Sequence, residues 1–168
     1  MLVRIRDARG GEVALLPEVE RESGRWFRDV GMGHVADDPP MPVPMLNGYR
    51  DSGGLWVAVE AVGPVAFLAA EDLDGAVHVA QLSVHPVWAR RRIGAALLAH
   101  AARRAAGRGV GALTLTTFRD VAWNAPYYAR LGFRAIETGE LTPGLVARLA
   151  AEAELLPGDA RVAMRRDL

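Results

Sequence analysis

Val84-His-Pro-Val-Trp-Ala-Arg90-Arg-Arg-Ile-Gly94-Ala95 is the stretch on which the reading of this chain turns. Before it, Ala76–Val84 is rich in valine and reads as a strand, and Pro86 ends it because proline cannot donate to a ladder. After it, residues 92–106 are alanine-rich with no β-branched residue beyond Ile93, which favours a helix, and Gly107 is placed to stop it. A strand, a short loop and a helix start therefore follow in that order. The first turn of a helix presents unpaired N–H groups and the positive end of its dipole, so it binds phosphate. Gly94 lets such a group approach the backbone. Arg90, Arg91 and Arg92 oppose the dipole at that end, and a bound anion compensates them while accepting their hydrogen bonds. The residues alone leave a second reading, three solvated arginines on a surface helix.

Two other phosphate motifs fail here. Gly107-Arg-Gly109-Val-Gly111 has dinucleotide-like spacing but follows a helix and precedes a strand, the reverse of what that fingerprint needs. A P-loop needs lysine, and the chain has none: all 20 of its basic residues are arginine. Cysteine is absent too, so disulfides, thiolate zinc sites, cysteine nucleophiles and lysine Schiff bases are all excluded. No metal site is expected. With 29 alanines, the composition points to a GC-rich, bacterial genome.

Working outward, Val3 and Ile5 alternate with Arg4 and Arg6 as in an edge strand. Residues 11–30 read as an amphipathic helix broken near Gly24, residues 31–44 as a proline-rich loop, and Met45–Asp51 as a short helix. Leu55–Glu60, Val65–Ala70 and Ala76–Val84 form an antiparallel meander, with Asp74-Gly75 as a hairpin turn. Ala112–Phe118 is a strand in which Leu113 and Leu115 alternate with Thr114 and Thr116. A helix over 122–131 stops at Gly132, and Phe133–Ile136 is a strand. Thr142 caps a helix over 143–156, and Arg161–Arg165 is the last strand. The strand–helix–strand unit at 77–117 requires a parallel pair with a crossover helix, so the sheet is mixed.

The 168 residues suit one domain, 1–168, and 51% apolar content can fill its core. No 18-residue apolar run and no signal-like start are present, so no membrane association is expected and the location is cytoplasmic. Net charge is zero, which argues against nucleic acid. It hides an uneven split: residues 1–74 carry 13 acids and 7 arginines, residues 75–168 carry 7 acids and 13 arginines. The arginine-rich part suits an anion and the acidic part attracts cations.

Leu82-Ser-Val-His-Pro, Arg90-Arg-Arg-Ile-Gly-Ala-Ala-Leu-Leu, Leu113-Thr-Leu-Thr-Thr-Phe and Trp123-Asn-Ala-Pro-Tyr-Tyr-Ala-Arg-Leu-Gly-Phe133 together resemble the GNAT superfamily of acyl-CoA-dependent N-acyltransferases. The resemblance implies an α/β fold (α+β) with a mixed, mostly antiparallel central sheet, a splayed parallel strand pair and flanking helices. It implies acetyl-CoA as co-substrate and an amine as acceptor, with a monomer or homodimer carrying the reaction. Carried over, the backbone of Leu82, Ser83 and Val84 pairs with pantetheine. The amides of Arg90, Arg91, Arg92, Ile93, Gly94 and Ala95 hold the pyrophosphate, Asn124 positions the cofactor arm, and Tyr128 protonates the leaving thiolate. The sequence departs from the usual loop at Ala89, where Gln or Arg is usual, and at Arg92, where the first glycine is usual.

Acyl transfer from a thioester to an amine needs a neutral amine, a donor for the oxyanion and a proton for the thiolate. Tyr128 supplies the last: a phenol of pKa about 10 stays protonated beside a thiol of about 8.5. His78, four residues before Leu82, is the candidate base, because an imidazole ordinarily titrates near pH 6.5, at about the pH where it must act; a structural histidine is its plainer reading. Glu71 is the second candidate. Glu20, Glu22, Asp29, Asp37 and Asp38 form an acidic surface for a cationic amine, while Trp26, Phe27 and Tyr49 supply an apolar wall. The alternatives are a longer acyl-CoA, or a catalytically weak or inactive CoA-binding sensor.

Overall fold

The computed structural model describes residues 3–168. Seven strands form one sheet in the order β1-β2-β3-β4-β5-β7-β6. They are β1 (Arg4–Asp7), β2 (Leu55–Glu60), β3 (Gly63–Leu73), β4 (Ala76–Val84), β5 (Ala112–Phe118), β6 (Arg134–Ala135) and β7 (Arg161–Asp167). β4 and β5 are the parallel pair; β1–β2, β2–β3, β5–β7 and β6–β7 are antiparallel. The β4–β5 register covers Val77–Val79 opposite Leu113–Leu115. The expected mixed, mostly antiparallel sheet is thus present. The helices are α1 (Leu16–Gly24), α2 (Gly33–Ala36), α3 (Val43–Asp51), α4 (Ile93–Gly107), α5 (Ala125–Arg130) and α6 (Pro143–Leu155). No described helix is long and apolar enough to cross a membrane. The chain divides into two compact units: residues up to Glu71 with Ala80–Ala101, and Asp72–Val79 with Ala102–Leu168.

In the first unit, Leu16 and Val19 stand three apart on one face of α1 and bury against Val13, Leu46, Leu55, Val57 and Phe67. The expected helix over 11–30 is three pieces: 3-10 turns at Gly10–Leu15 and Arg25–Val30 flank α1. Pro17 lies in the first turn of α1 and sets its start, and Gly24 ends it. The 31–44 loop holds the single turn α2, where His34 sits. Pro44, also in a first turn, brings α3 forward to Val43.

In the second unit, Asp74 and Gly75 both have positive φ, 50° and 81°. That is the two-residue hairpin turn that an Asp-Gly pair favours. The Leu113/Leu115 alternation does not leave a wet threonine face: Thr114 is buried and Thr116 half-buried. α4 includes Gly107, and its left-handed terminator is Gly109, with φ 75°. Thr142 does not cap α6 through its side chain. Asp74 Oδ2 takes that place, accepting from Gly144 N at 2.7 Å. A carboxylate at the positive end of a helix is the better partner.

Candidate functional site

The first unit carries the end of β4 and the turn into α4. Ser83 is buried and its Oγ accepts from Gln81 Nε2 at 2.8 Å. His85 N donates to Val65 O at 2.9 Å, which anchors the strand's end to β3. A 3-10 turn over Pro86–Trp88 follows. Arg90 and Arg92 are then left-handed, with φ of 62° and 60°. For residues with a side chain this costs about 1–2 kcal/mol each. Strain of that kind persists where surrounding structure imposes it, and it clusters at ligand sites. Left-handed residues beside a helix start turn successive N–H groups inward, as an anion nest does. The Arg91 guanidinium lies 4.6 Å from the Trp88 ring centroid. Arg90, Arg91 and Arg92 are all exposed, and none has an acidic partner among the described residues. Ile93 and Gly94 are buried at the start of α4, and Ala95 is half-buried. His100, on α4, packs its ring edge-on against Trp56, centroids 5.5 Å apart.

Of the acidic residues proposed to meet a cation, Glu22 pairs with Arg25 and Asp37 with Arg28. Glu20 accepts from Met41 N at 2.9 Å, and burial pushes its carboxyl pKa up, opposed by that hydrogen bond. Trp26 and Phe27 are half-buried, and Tyr49 packs on the core. Glu71, half-buried, ends this unit's share of β3.

The second unit carries Asn124, Tyr128 and His78. Thr117 Oγ1 donates to Asn124 Oδ1 at 2.9 Å, leaving the amide's Nδ2 to donate. Asn124 also begins α5: its carbonyl accepts from Tyr128 N at 3.0 Å. Tyr128 is half-buried between the rings of Tyr127 and Phe133, centroids 5.5 and 5.8 Å away. Burial pushes its hydroxyl well above the usual phenol pKa, and Arg161 opposes that rise. His78 is 1% exposed, with Nδ1 2.9 Å from Thr114 Oγ1. Burial lowers its pKa, and the Glu152 charge works the other way. Its ring is therefore held neutral.

A third cluster in this unit escapes the sequence reading. Thr116 Oγ1 donates to Glu152 Oε1 at 2.6 Å, and Arg161 Nε donates to Glu152 Oε2 at 2.8 Å. The one local signal is that Leu145, Leu149 and Glu152 share a helical stripe, so a carboxylate ends an apolar face. No group of three or more His, Asp or Glu residues able to hold a metal occurs among the described residues.

A family model described as an acetyltransferase (GNAT) domain matches residues 51–135. Solved structures agree in fold. The PaiA N-acetyltransferase of Thermoplasma acidophilum, in complex with coenzyme A, has a TM-score of 0.72 at 16% identity, covering 100% of both chains. N-acetylglutamate synthase of Neisseria gonorrhoeae, complexed with coenzyme A and N-acetyl-glutamate, has a TM-score of 0.72 at 19% identity. It matches 100% of this chain, which spans 35% of that one. An acetyltransferase of the GNAT family from Staphylococcus aureus has a TM-score of 0.69 at 16% identity, covering 99% of each.

Proposed function

This chain belongs to the GNAT acetyltransferase family, and from that premise we propose that it transfers an acetyl group from acetyl-CoA to a primary amine by direct attack in a ternary complex. The observation that supports this most is the left-handed backbone at Arg90 and Arg92 ahead of α4. The strain needs a return, and a pyrophosphate bound by the amides of Arg90–Ala95 supplies it. The three unpaired arginines add charge at the same place.

In this reading the backbone of Leu82–Val84 binds the pantetheine arm and Asn124 steadies it through Nδ2. The amine nitrogen attacks the thioester carbonyl, the C–S bond breaks as the oxyanion collapses, and Tyr128 gives its proton to the departing thiolate. His78 is the proposed proton acceptor. Its neutral ring suits that role, and with 1% exposure it takes the proton through a relay. Without cysteine no acyl-cysteine intermediate is available, which favours the direct route. The acceptor is a small molecule or peptide amine, and the reaction belongs in the cytoplasm where acetyl-CoA is made available to it.

Thermal unfolding with saturating acetyl-CoA tests the cofactor half, because a ligand selective for the native state raises Tm. An unchanged Tm removes the proposal. Thiol release over an amine panel tests the transfer half: release above background supports an enzyme, while binding with no release across the panel favours a CoA sensor.

A further inference from the structure

Arg161 is fixed on two sides and open on the third. Its Nε donates to Glu152 Oε2 at 2.8 Å, and its guanidinium carbon lies 4.5 Å from the Phe118 ring centroid. Glu152 is itself held by Thr116 Oγ1 at 2.6 Å. The arginine side chain is 16% exposed. Its two terminal amino groups have no partner among the described residues. A planar fork already held in one orientation has lost its rotamer entropy before any ligand arrives, so an end-on, two-point anion gains more of the hydrogen-bond energy.

The place of this fork matters as much as its shape. Arg161 stands opposite Phe118 in the β5–β7 register. The next residue along β5 is Thr117, whose hydroxyl holds Asn124 at the start of the helix that carries Tyr128. The Arg161 charge is felt at the Tyr128 hydroxyl. An anion docked on Arg161 therefore sits in the same unit as the group to which the acid role is given, within reach of its electrostatics. Glu152 already offsets one charge, so the pair suits a monoanion better than a dianionic phosphate.

We infer that the acceptor amine carries a carboxylate, as a free amino acid does, and that this carboxylate docks end-on to Arg161 while Glu152, Thr116 and Phe118 hold the guanidinium in place. The inference rests on the acetyl-transfer reading above and narrows its substrate class. Arg161 is the specificity-determining residue, and Glu152 is a positioning residue.

The test uses the twenty amino acids and their carboxamides as matched acceptors, with acetyl-CoA and thiol release as the readout. At least one free acid is expected to exceed its carboxamide in kcat/KM by roughly tenfold or more, the size of a charge-assisted contact. Arg161→Gln is expected to erase that preference through KM, leaving the acetyl-CoA Tm shift in place. Should the Gln variant fail to fold, Arg161→Lys keeps the charge without the fork and is expected to lose most of the preference. Carboxamides that react as well as the acids overturn the inference, as does an Arg161→Gln variant that keeps the preference or loses the acetyl-CoA shift. If acetyl-CoA raises Tm but neither set of acceptors reacts, the carboxylate inference falls and the cofactor reading stands. If acetyl-CoA leaves Tm unchanged, the cofactor reading itself has failed.

Discussion

His78 Nδ1 and Thr114 Oγ1 meet at 2.9 Å across the parallel β4–β5 pair, in register and out of solvent. Burial holds the folded ring's pKa below the usual histidine value, while the unfolded ring titrates near 6.5. The unfolded chain thus binds the proton more readily. The stabilisation is complete above about pH 6.5 and is lost as pH falls toward the folded value. Tm is expected to drop between pH 7 and 5, and more shallowly in His78→Gln. A variant with the wild-type slope would show that other groups carry the effect.

Asp74 combines two local tasks. It is left-handed at φ 50° in the hairpin turn, and its Oδ2 caps α6 at Gly144 N. Asp74→Gly keeps the turn and loses the cap, for about 1 kcal/mol. Asp74→Val loses the cap and adds a β-branched residue in the left-handed region, for about 2–3 kcal/mol in all. Urea unfolding separates the two losses. Equal destabilisation by Gly and Val would mean that the backbone conformation contributes nothing.

Asp74 also shows what is legible in a sequence. The Asp-Gly turn, the break at Gly24 and the stop at Gly132 are written in adjacent residues, and the structure has all three. The left-handed residues ahead of α4 fall where the family resemblance expects a glycine loop. The cap of α6, Asp74, is 70 positions from the Gly144 N–H that donates to it, whereas Thr142 stands next to the helix start. Thr116 and Glu152 are 36 apart, and Glu152 and Arg161 are 9 apart across a helix end. Such pairings depend on the packing of α6, which periodicity describes only as an apolar stripe. Thr114 is similar: its alternation with Leu113 and Leu115 names no partner, and the partner it has is a histidine on another strand.

Gly54 has no room for a side chain. A Cβ there lies 2.0 Å from Ala70 O, and the same two residues are locked by Ala70 N donating to Gly54 O at 2.7 Å. The obstruction is backbone in a paired strand, so it cannot swing aside. Gly54→Ala is expected to destabilise by about 3 kcal/mol, at the upper end of overpacking. Gly11→Ala, where nothing lies within 4 Å, is the control and should change little. Comparable stabilities for the two variants would contradict this account.

Tyr128 is a donor whose pKa burial has raised, so it is fully protonated at neutral pH. Tyr128→Phe keeps the ring contacts with Tyr127 and Phe133 and deletes the proton. On the proposed mechanism kcat falls by roughly 10²–10⁴, the usual range for a general acid, while the acetyl-CoA Tm shift is kept. Steady-state kinetics with the best amine of the panel measures it. A kcat within a few-fold of wild type would remove Tyr128 as the acid and leave the thiolate to depart as the anion.

Arg92 decides whether the turn into α4 binds through backbone or side chain. At φ 60° it adopts a conformation that glycine takes freely. Arg92→Gly removes about 1–2 kcal/mol of strain and gives back about 0.5–1 kcal/mol through the freer unfolded chain, so stability without ligand should hold or rise slightly. If the N–H of residue 92 meets the pyrophosphate, CoA affinity changes little in this variant. Arg92→Pro deletes that N–H and fixes φ near −65°, and is expected to weaken CoA by roughly tenfold or more. Calorimetric titration of CoA into both proteins compares them. Equal losses in the Gly and Pro variants would assign the phosphate contact to the guanidinium, and the left-handed turn would then need another cause.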